Sequence, residues 1–195
     1  MPKQKTLYFG GSFNPVGHHH ITVALAAKVL GEYDKVCFLP TYDAPHKTDL
    51  IEYKHRAAML DLAISYFPSL IQNDLEQRLF EETGRKNYTI DTVRAIKARF
   101  NEDEVHLLVG ADSYKQLPNW HLHEELIKEA KFVVIGREGA DNVFPWKPYI
   151  LLSEPIANLS STMIRTNIAK GIDISNWLDS SVEKYIKEHK LYEKN

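Results

Sequence analysis

The chain reads as an α/β protein built on a mostly parallel sheet with helices on both faces. Two observations predict this. Six short apolar runs with little alternation are separated by segments of helical period, the pattern of strands buried on both sides. The first run also ends in Gly10-Gly11 shortly before a helix, the kind of strand-to-helix connection at which such sheets accept anions.

In order, Thr6-Leu7-Tyr8-Phe9 predicts the first strand, and residues 21–30, rich in alanine, valine and leucine, predict the first helix. Residues 35–40 predict a second strand that ends in the polar loop 41–47. Between Tyr53 and Tyr66, Ala57, Met59, Leu60, Leu62, Ala63 and Ile64 recur at the spacing of a helix with a broad apolar face. Leu70-Ile71 is a third short strand, followed by a charged stretch, 74–78, and a loop around 84–87. Thr89 is expected to cap a helix through Arg99, with Asp91 in its first turn. Residues 105–109 are the clearest strand of the middle, and 116–120 form a proline-containing turn. Residues 124–130 read as helix, and 132–136 and 149–152 as the last two strands.

Composition bounds the function. The 195 residues are 44% hydrophobic and 26% charged, with no repeat, low-complexity tract or linker, so a single domain over 1–195 is expected. A net charge of −2 provides no global basic surface, which argues against nucleic acid as a partner and makes any nucleotide contact local. Neither a signal peptide nor a run of about 18 apolar residues is visible, so no membrane partner is expected and the cytoplasm is the expected compartment. The single cysteine, Cys37, lies in an apolar strand and reads as a buried, inert thiol that suits a reducing environment.

Two stretches carry chemistry. Gly10-Gly11-Ser12-Phe13-Asn14-Pro15 leads into Gly17-His18-His19-His20 at the start of the first helix. Bare glycine backbone, a helix N-terminus and imidazoles together suit a phosphate group. Adjacent helical residues point about 100° apart, so the three histidines are not expected to ligate one metal ion. The second stretch is Leu159-Ser160-Ser161-Thr162-Met163-Ile164-Arg165, where Ser160 or Ser161 caps a helix that Gly171 ends. Its hydroxyls, first-turn N–H groups and Arg165 are expected to form a second anion site. Asp112, just past the strand at 105–109, lies on the sheet edge where open α/β proteins bind ligands.

With these stretches in view, the chain resembles the bacterial nicotinate-nucleotide adenylyltransferases of the nucleotidylyltransferase superfamily. The resemblance rests on Gly10 to Pro15, Pro45-His46-Lys47, Arg56 with Met59-Leu60, Tyr88-Thr89-Ile90-Asp91-Thr92, Gly110-Ala111-Asp112-Ser113 with Trp120, and Ser160 to Arg165. It implies a Rossmann-like nucleotidylyltransferase fold and transfer of the adenylyl group of ATP to nicotinate mononucleotide, with Mg2+ arriving on ATP and no covalent enzyme intermediate. It further implies that Gly10, Gly11, Ser12, Phe13, His20, Gly110, Asp112, Ser161, Thr162 and Arg165 meet ATP. Asn14, Lys47, Tyr88, Thr89, Asp112, Trp120 and His121 would meet the pyridine nucleotide, with Trp120 as the plate for the ring. Self-association would be unsurprising for the family.

One departure bears on catalysis. The family's signature continues His-x-Gly-His, and an ungapped reading places Gly17 on its first histidine, His19 on its glycine and His20 on its second histidine. His20, His18 and Arg165 are the expected catalytic set; either His18 swings into the place vacated at Gly17, or His19 blocks the space in which the family's glycine lets the phosphate approach. Two alternatives stay open at the level of sequence: a nucleotide-binding, non-catalytic or regulatory relative, and an adenylyltransferase that prefers nicotinamide mononucleotide.

Overall fold

A computed structural model describes residues 4–43, 50–136, 144–152 and 159–193. Its centre is a parallel sheet of six strands: β1 (Thr6–Gly11), β2 (Lys35–Pro40), β3 (Leu70–Gln72), β4 (Val105–Gly110), β5 (Ala130–Ile135) and β6 (Ile150–Leu152). They lie in the order β3-β2-β1-β4-β5-β6. The chain winds outward in one direction from β1 and then in the other from β4, so the connections part between these two strands and leave a crevice at their carboxyl ends.

Both faces of the sheet are covered, which explains why the strand sequences lack polar alternation. On one face Leu7, Phe9, Phe38, Leu108 and Val133 join buried residues of α1 (His18–Leu30), α2 (Tyr53–Ile64), α7 (Ser161–Ala169) and α8 (Ser180–Glu188). On the other, Tyr8, Cys37, Leu107, Phe132 and Val134 pack with α3 (Leu75–Thr83), α4 (Thr89–Phe100), α5 (Ala111–Lys115) and α6 (His123–Glu129). Cys37 is buried, and that burial pushes its thiol up to about 12, so it stays protonated at neutral pH.

Several sequence expectations are corrected. Gly10 and Gly11 are the last residues of β1, paired with Leu39 and Pro40 of β2, and the turn proper begins at Ser12. The charged stretch after β3 is the start of helix α3, which buries only Leu75 and Leu79, one turn apart, and stops at Gly84 with φ +64. So narrow an apolar stripe is hard to see among charges. Helix α4 is capped at Tyr88 rather than Thr89: the Asp91 carboxylate reaches back to accept the Tyr88 N–H at 3.1 Å. Ala130, expected at the end of a helix, is the first residue of β5, so α6 passes into the strand without a loop.

Candidate functional site

Two adjoining cavities open on the carboxyl edge of the sheet. The first, of about 430 Å³, lies at the crevice between β1 and β4; its walls include Gly10 to Phe13, His20, residues 107–110 and Ser113. A Cβ at Gly10 or Gly110 would meet no atom of the described residues within 4 Å apart from its chain neighbours, so the backbone at the ends of both strands faces open space. Glycine is dispensable there for packing and allows a ligand to approach the main chain. Gly11 differs, because a Cβ would sit 2.8 Å from the ring of Phe13, which folds back over it at φ +47.

The turn from Ser12 to Gly17 is held from several directions. Arg56, 1% exposed on α2, donates from Nη1 to the Ser12 carbonyl (2.8 Å), from Nη2 to the Tyr42 carbonyl (3.2 Å) and from Nε to the Ile51 carbonyl (3.1 Å). The Arg165 Nη1 donates to the Asn14 carbonyl at 2.9 Å, and the Ser161 hydroxyl donates to the Pro15 carbonyl at 2.8 Å. The Tyr192 hydroxyl donates to Asn14 Oδ1 at 2.8 Å, and the Asn14–Pro15 peptide is cis. The last third of the chain thus fixes the shape of its first turn.

This geometry changes the expectation for the second anion site. Ser160 is the cap, accepting the Met163 N–H at 3.3 Å, while Ser161 and Arg165 direct polar groups at the backbone of the 12–17 turn. Thr162 is exposed, and none of Ser161, Thr162 and Arg165 is part of the cleft wall. The Ser161 and Arg165 side chains brace the turn that forms the wall.

The three histidines divide by position. His20 is in the cleft wall, and its Nδ1 accepts the Gly17 N–H at 3.1 Å. The neutral ring must therefore carry its proton on Nε2. Phe13 meets the ring edge-on at 5.2 Å between centroids. His18 is exposed and stands outside that wall, and its backbone N–H is bound to the Trp177 carbonyl at 3.0 Å. The expected swing of His18 into the place at Gly17 is not what the structure has: His19 occupies that space.

The second cavity, of about 650 Å³, is bounded by Asn87, Tyr88, Thr89, Gln116, Asn119, Trp120 and His121. Tyr88 and His121 stack at 4.3 Å with their planes 33° apart, and the half-buried Trp120 packs edge-on to Phe132 at 6.4 Å. Asp112 is exposed in the first turn of α5, while its neighbours Gly110 and Ser113 line the cleft. Lys47 lies outside the described residues. No group of three or more histidine, cysteine, aspartate or glutamate side chains suited to a metal ion occurs among the described residues.

Four residues, Thr41, Glu76, Thr89 and Trp120, line both cavities and so mark their junction. Glu76 escaped the sequence reading, since an acid beside a buried leucine in a charged stretch carries little signal. Among the described residues it is the sole acidic residue in either wall. The Thr92 hydroxyl donates to its Oε1 at 2.6 Å, and the Asn87 amide donates to its backbone carbonyl at 2.7 Å. Burial, with a smaller contribution from Asp91, outweighs the Thr92 bond and pushes the carboxyl up to about 7. An unfolded glutamate ionises near 4.5, so between these values the folded chain keeps a proton that the unfolded chain releases. Stability from this group is therefore complete at low pH and lost as pH rises through about 7, by at most about 3 kcal/mol. Glu76→Gln is expected to raise the melting temperature at pH 8 and to leave it unchanged at pH 4, as thermal unfolding at the two values would report.

A crevice where the strand order reverses, bare glycines at the ends of its two flanking strands and a histidine at the following helix start suit an α/β protein that binds a phosphate-bearing ligand such as a nucleotide. The family model for cytidylyltransferase-like proteins matches residues 8–167. Among curated relatives, a probable nicotinate-nucleotide adenylyltransferase of Bacillus pumilus is 34% identical over 95% of this chain and 96% of its own. Another of the same name from Lactococcus lactis is 33% identical over 98% and 97%. The chain belongs to the cytidylyltransferase-like family and, within it, with the nicotinate-nucleotide adenylyltransferases. A Plasmodium falciparum nicotinic acid mononucleotide adenylyltransferase, complexed with APC, shares the fold with a TM-score of 0.81 at 22% identity, covering 97% of this chain and 98% of the other. No helix among the described residues is long and apolar enough to cross a membrane.

Proposed function

We propose that this chain transfers the adenylyl group of ATP to nicotinate mononucleotide, giving nicotinate adenine dinucleotide and pyrophosphate. The observation that carries the reading is the pair of cavities meeting at Thr41, Glu76, Thr89 and Trp120, one beside exposed glycine backbone and one beside stacked aromatic rings. Two nucleotides seated in these adjoining cavities would lie side by side, within reach of each other. The names of the relatives point to the same reaction.

In this reading ATP lies along Gly10 to Phe13 and Gly110, with Asp112 beside its ribose, and its phosphates extend toward His20. An oxygen of the mononucleotide phosphate attacks the α-phosphorus; that bond forms as the bridging bond to the β-phosphate breaks, and pyrophosphate departs. The reaction joins two anions, so positioning and charge stabilisation make up most of what the protein supplies. The Nε2–H of His20 donates to phosphoryl oxygens as charge shifts to the leaving group. Arg165 and Ser161 contribute by fixing the turn from which these donors project, and Arg165 adds positive charge behind it. In this reading magnesium belongs to the substrate and arrives as Mg–ATP.

The acceptor occupies the larger cavity, with its pyridine ring against Trp120 and the Tyr88–His121 stack and its carboxylate toward the start of α4 at Thr89. A helix N-terminus favours such an anion by up to about 1 kcal/mol at an exposed site. Trp120→Ala tests this placement. Loss of one stacked ring is expected to raise the acceptor KM by about tenfold, corresponding to about 1.4 kcal/mol, with the KM for ATP within about twofold of wild type. Equal losses for both substrates in steady-state kinetics would remove Trp120 from the acceptor site.

A further inference from the structure

We infer that His19 is a positioning residue for His20, seated by the absence of a side chain at Gly17. The inference rests on the proposed role of His20 in adenylyl transfer.

The backbone of Gly17 is extended, at φ −131 and ψ 171, a conformation any residue adopts. Its glycine is required by space instead. A Cβ there would lie 2.9 Å from His19 Nδ1, 3.0 Å from His19 Cε1 and 2.9 Å from Ile164 Cδ1 of α7. Contacts that close force a neighbour to move, and Ile164 is fully buried. The region over the Gly17 α-carbon is thus already filled by the His19 ring and by a core side chain.

From that seat the His19 ring reaches the ring of His20, with centroids 3.8 Å apart and planes 39° apart. Neighbouring residues of a helix ordinarily diverge by about 100°, so the two rings meet because the His19 side chain folds back toward the helix N-terminus, over Gly17. His20 is then bounded by His19 on one side and by the edge-on ring of Phe13, 5.2 Å away, on another. The Gly17 N–H holds its Nδ1. Gly17 therefore acts twice: its bare α-carbon admits His19, and its amide sets the His20 tautomer. Removing the His19 ring frees His20 to rotate and carries Nε2 away from the phosphates, while the ATP-binding backbone at Gly10 and Gly110 is untouched.

Steady-state kinetics of a three-member set tests this. His19→Ala is expected to lower kcat by about tenfold, since small misplacements of a reacting group are costly, with the KM for ATP within about twofold of wild type. His19→Phe keeps a planar ring in the same seat and recovers most of that loss. Gly17→Ala, which displaces the ring, lowers kcat at least as much. Wild-type kcat in His19→Ala or no recovery in His19→Phe would overturn the inference. Thermal unfolding of each variant separates these effects from loss of fold. If the wild-type chain released no pyrophosphate, the proposed reaction would fail but this inference would still be open to measurement. Nitrogen-15 shifts of the His20 ring should report an Nδ1 that accepts a hydrogen bond in the wild type and in His19→Phe and a mixture of states in His19→Ala. Identical shifts in all three would overturn it.

Discussion

Replacement of His20 by alanine lowers kcat by about 10²–10³, the range found when one preorganised donor to a developing negative charge is removed. The size follows from the setting. His20 is in the wall of the cleft, its Nδ1 is engaged by the Gly17 N–H, and His19 and Phe13 limit its rotation, so Nε2 is ordered before any substrate arrives. Such a donor requires little reorganisation when charge shifts to the departing pyrophosphate. Binding of ATP itself, which the proposal assigns to backbone at Gly10 and Gly110, is expected to change much less. His20→Asn, which keeps a polar group but shortens it, should recover only a small part. Single-turnover rates measured alongside nucleotide binding check this, and a His20→Ala variant with undiminished turnover would exclude His20 from the mechanism.

Arg56→Met is the change expected to cost the most stability. The guanidinium is buried and is held by three carbonyls, from Ser12, Tyr42 and Ile51, which ties the signature turn and the loop after β2 to helix α2. Burial pulls its pKa down from the usual arginine value, with Tyr192 and Tyr53 acting in the opposite sense. Methionine fills much of the volume but donates nothing, leaving three part-buried carbonyl oxygens short of partners at about 1–3 kcal/mol each, not fully additive. A total loss of about 3–5 kcal/mol is expected in denaturant unfolding, together with weaker ATP binding because the Ser12 carbonyl no longer has a fixed position. Arg56→Lys restores the charge but cannot satisfy three diverging carbonyls, so it recovers only part of the loss. A stability within about 0.5 kcal/mol of wild type in Arg56→Met would show that the three contacts are replaceable.

The sheet was legible in the sequence because strands buried on both faces leave runs such as Val105-His106-Leu107-Leu108-Val109 that few other structures produce. The glycine-rich end of β1 and the capped start of α7 were legible for a similar local reason, since caps and turns are written in consecutive residues. What escaped depends on contacts between distant parts of the chain. Ser161 and Arg165 look like ligand donors in isolation, yet across about 150 positions they meet the carbonyls of Pro15 and Asn14. Glu76 gains its meaning only when α3 is laid against α4 beside Thr92. The histidines show the limit most clearly: spacing along a helix predicts that His19 and His20 diverge, and only the empty α-carbon of Gly17, backed by Ile164, lets their rings meet.

Pyrophosphate release from Mg–ATP, followed in parallel with nicotinate mononucleotide and nicotinamide mononucleotide as acceptors, tests the proposed reaction most directly. The account predicts rapid release with the acid, formation of nicotinate adenine dinucleotide in equal amount, and a lower kcat/KM with the amide, which lacks the charge favoured at the start of α4. Measurable ATP binding with no release from either acceptor would contradict it, and faster release with the amide would contradict the placement of the acceptor carboxylate.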